Sequence, residues 1–482
     1  MSGWLIDQYL RTFDENEGVI KDSNTELTKT DIDKLNRKIA ANKSYLDDRI
    51  VGIYIERSAR YLAYCLILLD QNITYVPLNT EWEDEYINYI IEEAKIDCII
   101  QTNSKPISKA ISGTEINHKL INNEKITYYA KRQKSAGIGA AYIIFTSGST
   151  GKPKGVEISK ESFMSYVANT INDNYEESGK YHLITGEINF DIILGDLCIG
   201  LNKKRKLRIT NNNKNLLEIA GIIIDDQIIS GYFIPSCLRE ILSILKTRSK
   251  QKVMSKKIFY CGGEVLSSSL CESIWQEFNN AEVYNMYGPT ECTINCIGGE
   301  ITKDMIKEDE IITGKGYRNL EFYFNEPKNI CKPNERGELL IKGKQIMTGY
   351  INDKNNVDNT KDYYNTGDIF RMNKDGMFVY EGRKDKEVKI MGNRCNLEAL
   401  ENYCIKEINV ENLVFVKYKE RLICFALKLK SNQKELENVI LRRYPRFALP
   451  TKVIEIKKIP RNRNGKIDRS ILLKDYEKNN PT

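Results

Sequence analysis

From Val51 to Tyr75 the chain sets a short apolar run, a longer apolar stretch and a second short run in succession: VGIYIE, SARYLAYCLILLDQN, ITYVPL. Strand, helix and strand in that order predict one βαβ unit and a parallel sheet, which Asp97–Ile100 and Tyr142–Phe145 extend. Residues 161–168 read as a helix. A second alternation covers roughly 181 to 300, with Gly231–Pro235, Lys257–Cys261 and Glu282–Met286 as its short apolar strands. The first 300 residues therefore predict two α/β halves. From Glu300 to Glu381 short strands and turns take over, including RGELLIKG and a hairpin, IFRMNKDGMFVYEG, that turns at Asp375–Gly376. Beyond Arg383 the pattern is mixed, with a hairpin across Lys419, Glu420 and Arg421 and an amphipathic helix from Gln433 to Arg443. The fold class predicted is α/β: a large N-terminal domain (1–384) of two α/β subdomains plus a small β-barrel-like subdomain (about 300–384), then a small mobile α+β C-terminal domain (385–482). Asp385, at the join, is the hinge candidate.

Composition narrows the function classes. The 72 basic and 66 acidic residues leave a net charge of +6 with no basic block, which argues against nucleic acid as a partner. No apolar run approaches the ~18 residues of a membrane span and the N-terminus carries no leader pattern, so a cytoplasmic protein is expected. Most of the twelve cysteines sit in apolar stretches, where reduced core thiols are expected, and Cys292 and Cys296 lack zinc-site spacing. With only His118 and His182 in the chain, neither a Ser-His triad nor a histidine-rich metal site is expected.

One stretch carries chemistry on its face. Tyr142–Phe145 runs directly into Thr146, Ser147, Gly148, Ser149, Thr150, Gly151, Lys152, Pro153 and Lys154. Glycines admit close approach of an anion, hydroxyls donate hydrogen bonds and lysines add charge, so this is a phosphate-holding loop. It lacks the P-loop's four-residue spacing before Gly-Lys-Ser/Thr, and so points to a nucleotide held in another way. Four further stretches accompany it: Cys261-Gly262-Gly263-Glu264, Asn285-Met286-Tyr287-Gly288-Pro289-Thr290-Glu291, Tyr364-Asn365-Thr366-Gly367-Asp368, and Asn464-Gly465-Lys466-Ile467-Asp468-Arg469. Each alone reads as a turn or a solvated charge; the five together, in this order, do not.

On these motifs, with NFD at 189–191 and GRKDKEVKIMGNR from Gly382, the chain resembles the adenylate-forming superfamily of acyl/aryl-CoA synthetases, luciferases and nonribosomal peptide synthetase adenylation domains. It is most similar to the amino-acid-activating adenylation domains. The resemblance implies ATP and Mg²⁺ as cofactors, with Thr146 to Gly155 around the β- and γ-phosphates. It implies Tyr287 on adenine, with Gly262, Gly263, Glu264, Asn285, Met286 and Gly288 about the nucleotide. It also implies Asp368 on the ribose beside Tyr380 and Arg383, Thr290 at the α-phosphate and Glu291 on Mg²⁺. Lys466 would bridge substrate carboxylate and phosphate. The C-terminal module would then turn about Asp385, withdraw Lys466 and bring up a face with Lys389, so that the phosphopantetheine thiol of a carrier protein attacks the acyl-adenylate. Asp385→Pro is expected to impair that transfer more than adenylation.

The resemblance further sets Asp191 against a substrate α-ammonium and puts Ile192, Gly195, Tyr232, Phe259, Cys261, Met286, Ile294 and Asn295 around the side chain. None is charged, which implies an α-amino acid with a neutral side chain. Gly195 is expected to open space there. Two departures, Leu78 to Trp82 after Tyr-Val-Pro-Leu and Asn396, are expected to concern surface contacts. The implied partner is a carrier protein, in trans or in a larger synthetase of natural-product biosynthesis, with a small accessory protein possible and a monomer as default. An ordinary Met start favours a freestanding enzyme. Three alternatives stay open: a D-alanine to carrier-protein ligase, an acyl-CoA ligase, and a non-catalytic scaffold relative.

Overall fold

The computed structural model describes residues 4–46, 49–102, 115–121, 124–129, 139–146, 153–170, 180–248, 254–306, 312–351, 363–384, 387–390, 393–408, 410–419, 421–430, 432–443, 448–462 and 466–480. Two large sheets form the body. The first has eight strands and holds the expected βαβ unit, with Ile50–Tyr54 parallel to both Thr74–Pro77 and Cys98–Thr102. Its helix, Ala59–Asp70, begins where Ser58 accepts a hydrogen bond from the Tyr61 amide and has all but one residue buried.

The second sheet has thirteen strands and contains the second α/β half. Strands Lys206–Ile209, Tyr181–Ile184, Ile228–Phe233, Lys257–Gly262 and Ala281–Tyr287 are parallel neighbours in that order. The small β subdomain is the antiparallel end of this same sheet, joined through Ile297–Ile301 and Ile312–Gly316. Its hairpin turns at Gly376 with φ +74°, as the Asp-Gly pair requires.

The far edge was not anticipated. Gly18–Lys21 pairs in parallel with Lys206–Ile209, so the N-terminal residues finish a sheet built mostly from the second half. Helices Trp4–Leu10, Ala59–Asp70 and Ile192–Asn202 share one apolar core. Every residue of Ile192–Asn202 is buried, so it is packed on all sides.

Residues after 386 make their own small sheets and two further cores, around Leu400 and Phe415 and around Val414 and Phe425. The expected hairpin joins Asn412–Tyr418 to Arg421–Leu427, and Gln433–Arg443 is helical. All twelve cysteines are unpaired and eleven are buried, in keeping with core thiols. No helix among the described residues is long and apolar enough to cross a membrane.

His182 is fully buried, with Nε2 2.8 Å from Asp196 Oδ1 and Nδ1 2.7 Å from Ser230 Oγ. The trio has triad-like connectivity, but it is sealed in the core and Arg205 also donates to Ser230. Burial lowers the imidazole well below its usual range and lifts the Asp196 carboxyl well above its own, and the hydrogen-bonded pair ties helix to sheet.

Candidate active site

The sequence motifs converge at the carboxyl ends of the parallel strands of the second sheet, where open α/β sheets bind ligands. Asp191 sits at the start of Ile192–Asn202 and is 2% exposed. Its Oδ2 is buried without a hydrogen-bond partner. Burial raises the carboxyl to about 7, opposed by hydrogen bonds from the Thr290 hydroxyl and the Ile294 amide and by the charge of Lys466. Lys466 Nζ lies 5.5 Å from the centre of the Phe190 ring, so the lysine from the C-terminal end reaches the residue preceding Asp191.

The strands on either side of the phosphate-loop stretch pair antiparallel, with Thr146 and Lys154 in register and Thr146 Oγ1 donating to the Lys154 carbonyl. Ser147, Gly148, Ser149, Thr150, Gly151 and Lys152 lie outside the described residues, as does Asp385. Lys154 Nζ stands 4.9 Å over the Tyr350 ring, and the Tyr350 hydroxyl donates to Glu291 Oε1 at 2.7 Å. The loop base and the acid of the Thr290–Cys292 turn are thus one linked unit. No cluster of three metal-binding side chains occurs among the described residues, so a magnesium ion here would be held by Glu291 together with phosphate oxygens.

Asp368 Oδ2 accepts from Tyr287 at 2.5 Å, and Oδ1 faces Arg383 Nη1 at 3.3 Å. The Tyr287 ring meets Phe370 edge-on at 4.8 Å, with Tyr380 at 6.3 Å. Gly288 is required by close approach: a Cβ there would lie 2.4 Å from the Ile294 carbonyl. Glu264 Oε2 accepts from the Ser236 amide at 3.1 Å.

The side-chain pocket needs correction at several positions. Along Lys257–Gly262, Ile258 and Tyr260 pack with Ile192, Tyr232 and Met286, whereas Phe259 and Cys261 pack with Phe278 and Leu270 in the opposite core. Side chains alternate across a strand, so Phe259 and Cys261 point away from the site and Tyr260 and Gly262 take their places. Asn285, in register with Cys261, likewise braces the Ile312 carbonyl with its amide at 2.8 Å. Gly195 does not open space. A Cβ there would lie 2.9 Å from Ile294 Cγ2 and 3.3 Å from the Tyr166 hydroxyl. One at Gly262 would lie 2.1 Å from the Tyr232 hydroxyl. Tyr232 donates to Asn295 Oδ1 at 3.1 Å and Asn295 Nδ2 to Tyr166 at 3.4 Å, so a tyrosine-amide-tyrosine chain fills the floor. The departure at 78–82 is only partly a surface matter: Glu81 is exposed, but Asn79 is buried and donates to Asn189 at 3.3 Å.

Two supports escaped the sequence reading. Thr293 and Ile294 both have positive φ, +58° and +70°, which is strained for β-branched residues. Gln345, fully buried, holds this turn: Nε2 donates to the carbonyls of Cys292 and Asn295, and Thr293 Oγ1 donates to its carbonyl. A lone Gln in KGKQIM gives no hint of that role. Gln345→Ala is expected to cost about 1–3 kcal/mol of stability, read as a lower midpoint in denaturant melts, because two buried carbonyls lose their donor.

The family model described as "AMP-binding enzyme" matches residues 32–351, more than half of the chain, and the protein belongs to that family. It is 26% identical over 428 residues to a D-alanine--D-alanyl carrier protein ligase of Staphylococcus haemolyticus, covering 83% of this chain and 84% of that one. It is also 26% identical over 456 residues to Gramicidin S synthase 2 of Aneurinibacillus migulanus, covering 90% of this chain and 10% of that protein. Among solved structures, Klebsiella oxytoca NpsA in complex with 3-hydroxyanthranilyl-AMSN superposes with a TM-score of 0.76 at 20% identity over 98% of both chains. O-succinylbenzoate Coenzyme A Synthetase from Bacillus subtilis, in complex with ATP and magnesium ion, gives 0.75 at 16% identity, covering 97% of this chain and 99% of that one. This chain shares the fold of these structures.

Proposed function

We propose that this protein activates a small α-amino acid with a neutral side chain as its aminoacyl-adenylate and passes it to the phosphopantetheine thiol of a carrier protein. The observation that carries the reading is the buried, unpartnered Oδ2 of Asp191, within the field of Thr290 and Lys466. An anion left so in a core is costly unless a cation arrives, and a substrate ammonium supplies one. A carboxylic acid without an amine would leave it uncompensated, which speaks against an acyl-CoA ligase.

With the ammonium on Asp191, the substrate's carboxylate comes within reach of Lys466, whose charge offsets the two anions that meet when the carboxylate attacks the α-phosphate. Thr290, buried beside Asp191, donates its hydroxyl hydrogen bond to that residue's carboxylate and so helps to keep it charged. Glu291 would hold a magnesium ion, which would supply positive charge to offset that of the phosphates. Asp368 and Arg383 orient the ribose, and Lys154 anchors the phosphate loop through Tyr350 and Glu291. The module boundary near 384 and a hinge at Asp385 are part of this reading, because Lys466 must leave before a thiol can enter.

The size of the side chain follows from the filled floor. Asp191 and Gly195 are one helical turn apart on one face, about 5–6 Å between β positions, and Tyr166, Ile294 and Asn295 close the space over Gly195. A floor closed in this way favours a small side chain. Tyr232→Ala is expected to move the preferred substrate toward larger apolar amino acids, measured as the ratio of kcat/KM for leucine over alanine. An unchanged ratio in a folded variant would count against the size argument.

The deciding experiment is pyrophosphate exchange into ATP with Mg²⁺ across the L-amino acids, D-alanine, β-alanine and aryl acids. Stimulation by a small α-amino acid supports the reading, and by an aryl acid overturns it. A strong preference for D-alanine favours the second reading, a D-alanine to carrier-protein ligase, which the similarity over most of both chains recommends.

A further inference from the structure

The loop that carries Lys466 is fastened to the body of the protein by a residue five positions earlier. Arg461 Nη2 donates to Glu240 Oε1 at 2.6 Å and Nη1 to Ser236 Oγ at 2.5 Å, while Nη1 stands 4.0 Å from Glu264 Oε1. Ser236 and Glu240 are one turn apart on the helix Pro235–Arg248, so they present one face to the guanidinium. Glu264 is fixed from behind by the Ser236 amide at 3.1 Å. The three charged side chains are only 18%, 26% and 18% exposed for Arg461, Glu240 and Glu264, so the contact is screened far less than a surface pair.

Arg461 and Lys466 are also tied to each other. Arg461 bridges Ile467 across the loop, the Asn462 amide donates to the Lys466 carbonyl at 2.7 Å, and Asn462 Oδ1 accepts from the Lys466 amide at 3.0 Å. Fixing the guanidinium therefore fixes where the lysine stands. We propose that Arg461 is a positioning residue, a latch on Ser236, Glu240 and Glu264 that holds Lys466 beside Asp191 for adenylation and must open for the following transfer step. Its acceptors lie on the helix face and the Gly262–Gly263 turn beside the site, so the latch engages only when the C-terminal module faces that edge.

The proposal rests on the adenylation reading, and the test separates the two. Exchange by the unaltered protein is measured first; its absence with every amino acid is a failure of the adenylation reading. Given an active protein, Arg461→Ala is expected to lower the exchange rate about 10- to 100-fold with the amino-acid KM little changed, since a lysine displaced by an ångström loses most of its effect. Transfer from supplied aminoacyl-adenylate to carrier thiol should be unchanged or faster. Arg461→Ala/Glu240→Gln should be no slower in exchange than Arg461→Ala alone. Amide hydrogen exchange in Pro235–Arg248 should quicken in Arg461→Ala whether or not substrate turns over. Exchange within twofold of the parent, or equal losses in both half-reactions, overturns the latch. Should Arg461→Ala fail to fold, Glu240→Gln carries the same expectation at smaller amplitude.

Discussion

Asp191→Asn is expected to cut amino-acid-dependent pyrophosphate exchange by roughly 30- to 3,000-fold, the loss that follows when one partner of a buried charge pair is made neutral. The fall should appear chiefly in kcat/KM for the amino acid, with the KM for ATP nearly unchanged. The same carboxyl makes the reaction pH-dependent. Burial holds it at about 7 in the empty protein, above the ordinary aspartate value, so below that pH it carries a proton. A protonated carboxyl cannot pair with an ammonium. Binding therefore strengthens as pH rises toward 7 and weakens by about tenfold per unit below it. The Asp191→Asn protein has no such group, and its profile should be flat through that region. A parent profile flat from pH 5 to 8 would rule out Asp191 as the ammonium partner.

Lys466→Ala is expected to reduce the adenylation half-reaction by about 10²–10³-fold, comparable to removing a donor aimed at developing charge. Transfer of a supplied aminoacyl-adenylate to the carrier thiol should survive, because the lysine acts before the adenylate exists. Lys466 reaches the Phe190 ring beside Asp191, which is the geometry the first half-reaction needs. Equal losses in both halves would point to a structural role. Negligible exchange by the parent, left unchanged by the substitution, would favour a scaffold relative.

Much of this site was legible in the chain because its chemistry is local. Thr146 and Lys154 announce themselves by composition, and Tyr287, Thr290, Glu291 and Asp368 by short motifs after apolar runs. Contiguous residues on a strand-end turn must project toward the same crevice, so motif and geometry coincide. The pocket walls are a different matter. Phe259 and Tyr260 are both aromatic and both buried, and which one faces the substrate depends on register. A slip of one residue reverses the face, and nothing in IFYCGG marks the parity. Gly195 misled for a related reason. A glycine leaves room only if no distant residue takes it, and here Tyr166, from the helix Lys160–Thr170, does.

The sequence by itself determined the α/β alternation and marked the short motifs after its strands, because periodicity and turn chemistry act over a few residues. Only the tertiary structure decided that Gly18–Lys21 completes a sheet beside Lys206–Ile209, that Gln345 holds the strained Thr293–Ile294 turn, that tyrosines close the pocket floor, and that Arg461 fastens the lysine loop to Glu240. Those contacts join residues tens to hundreds of positions apart, and their partners are selected by the packing of whole elements rather than by any pattern along the chain.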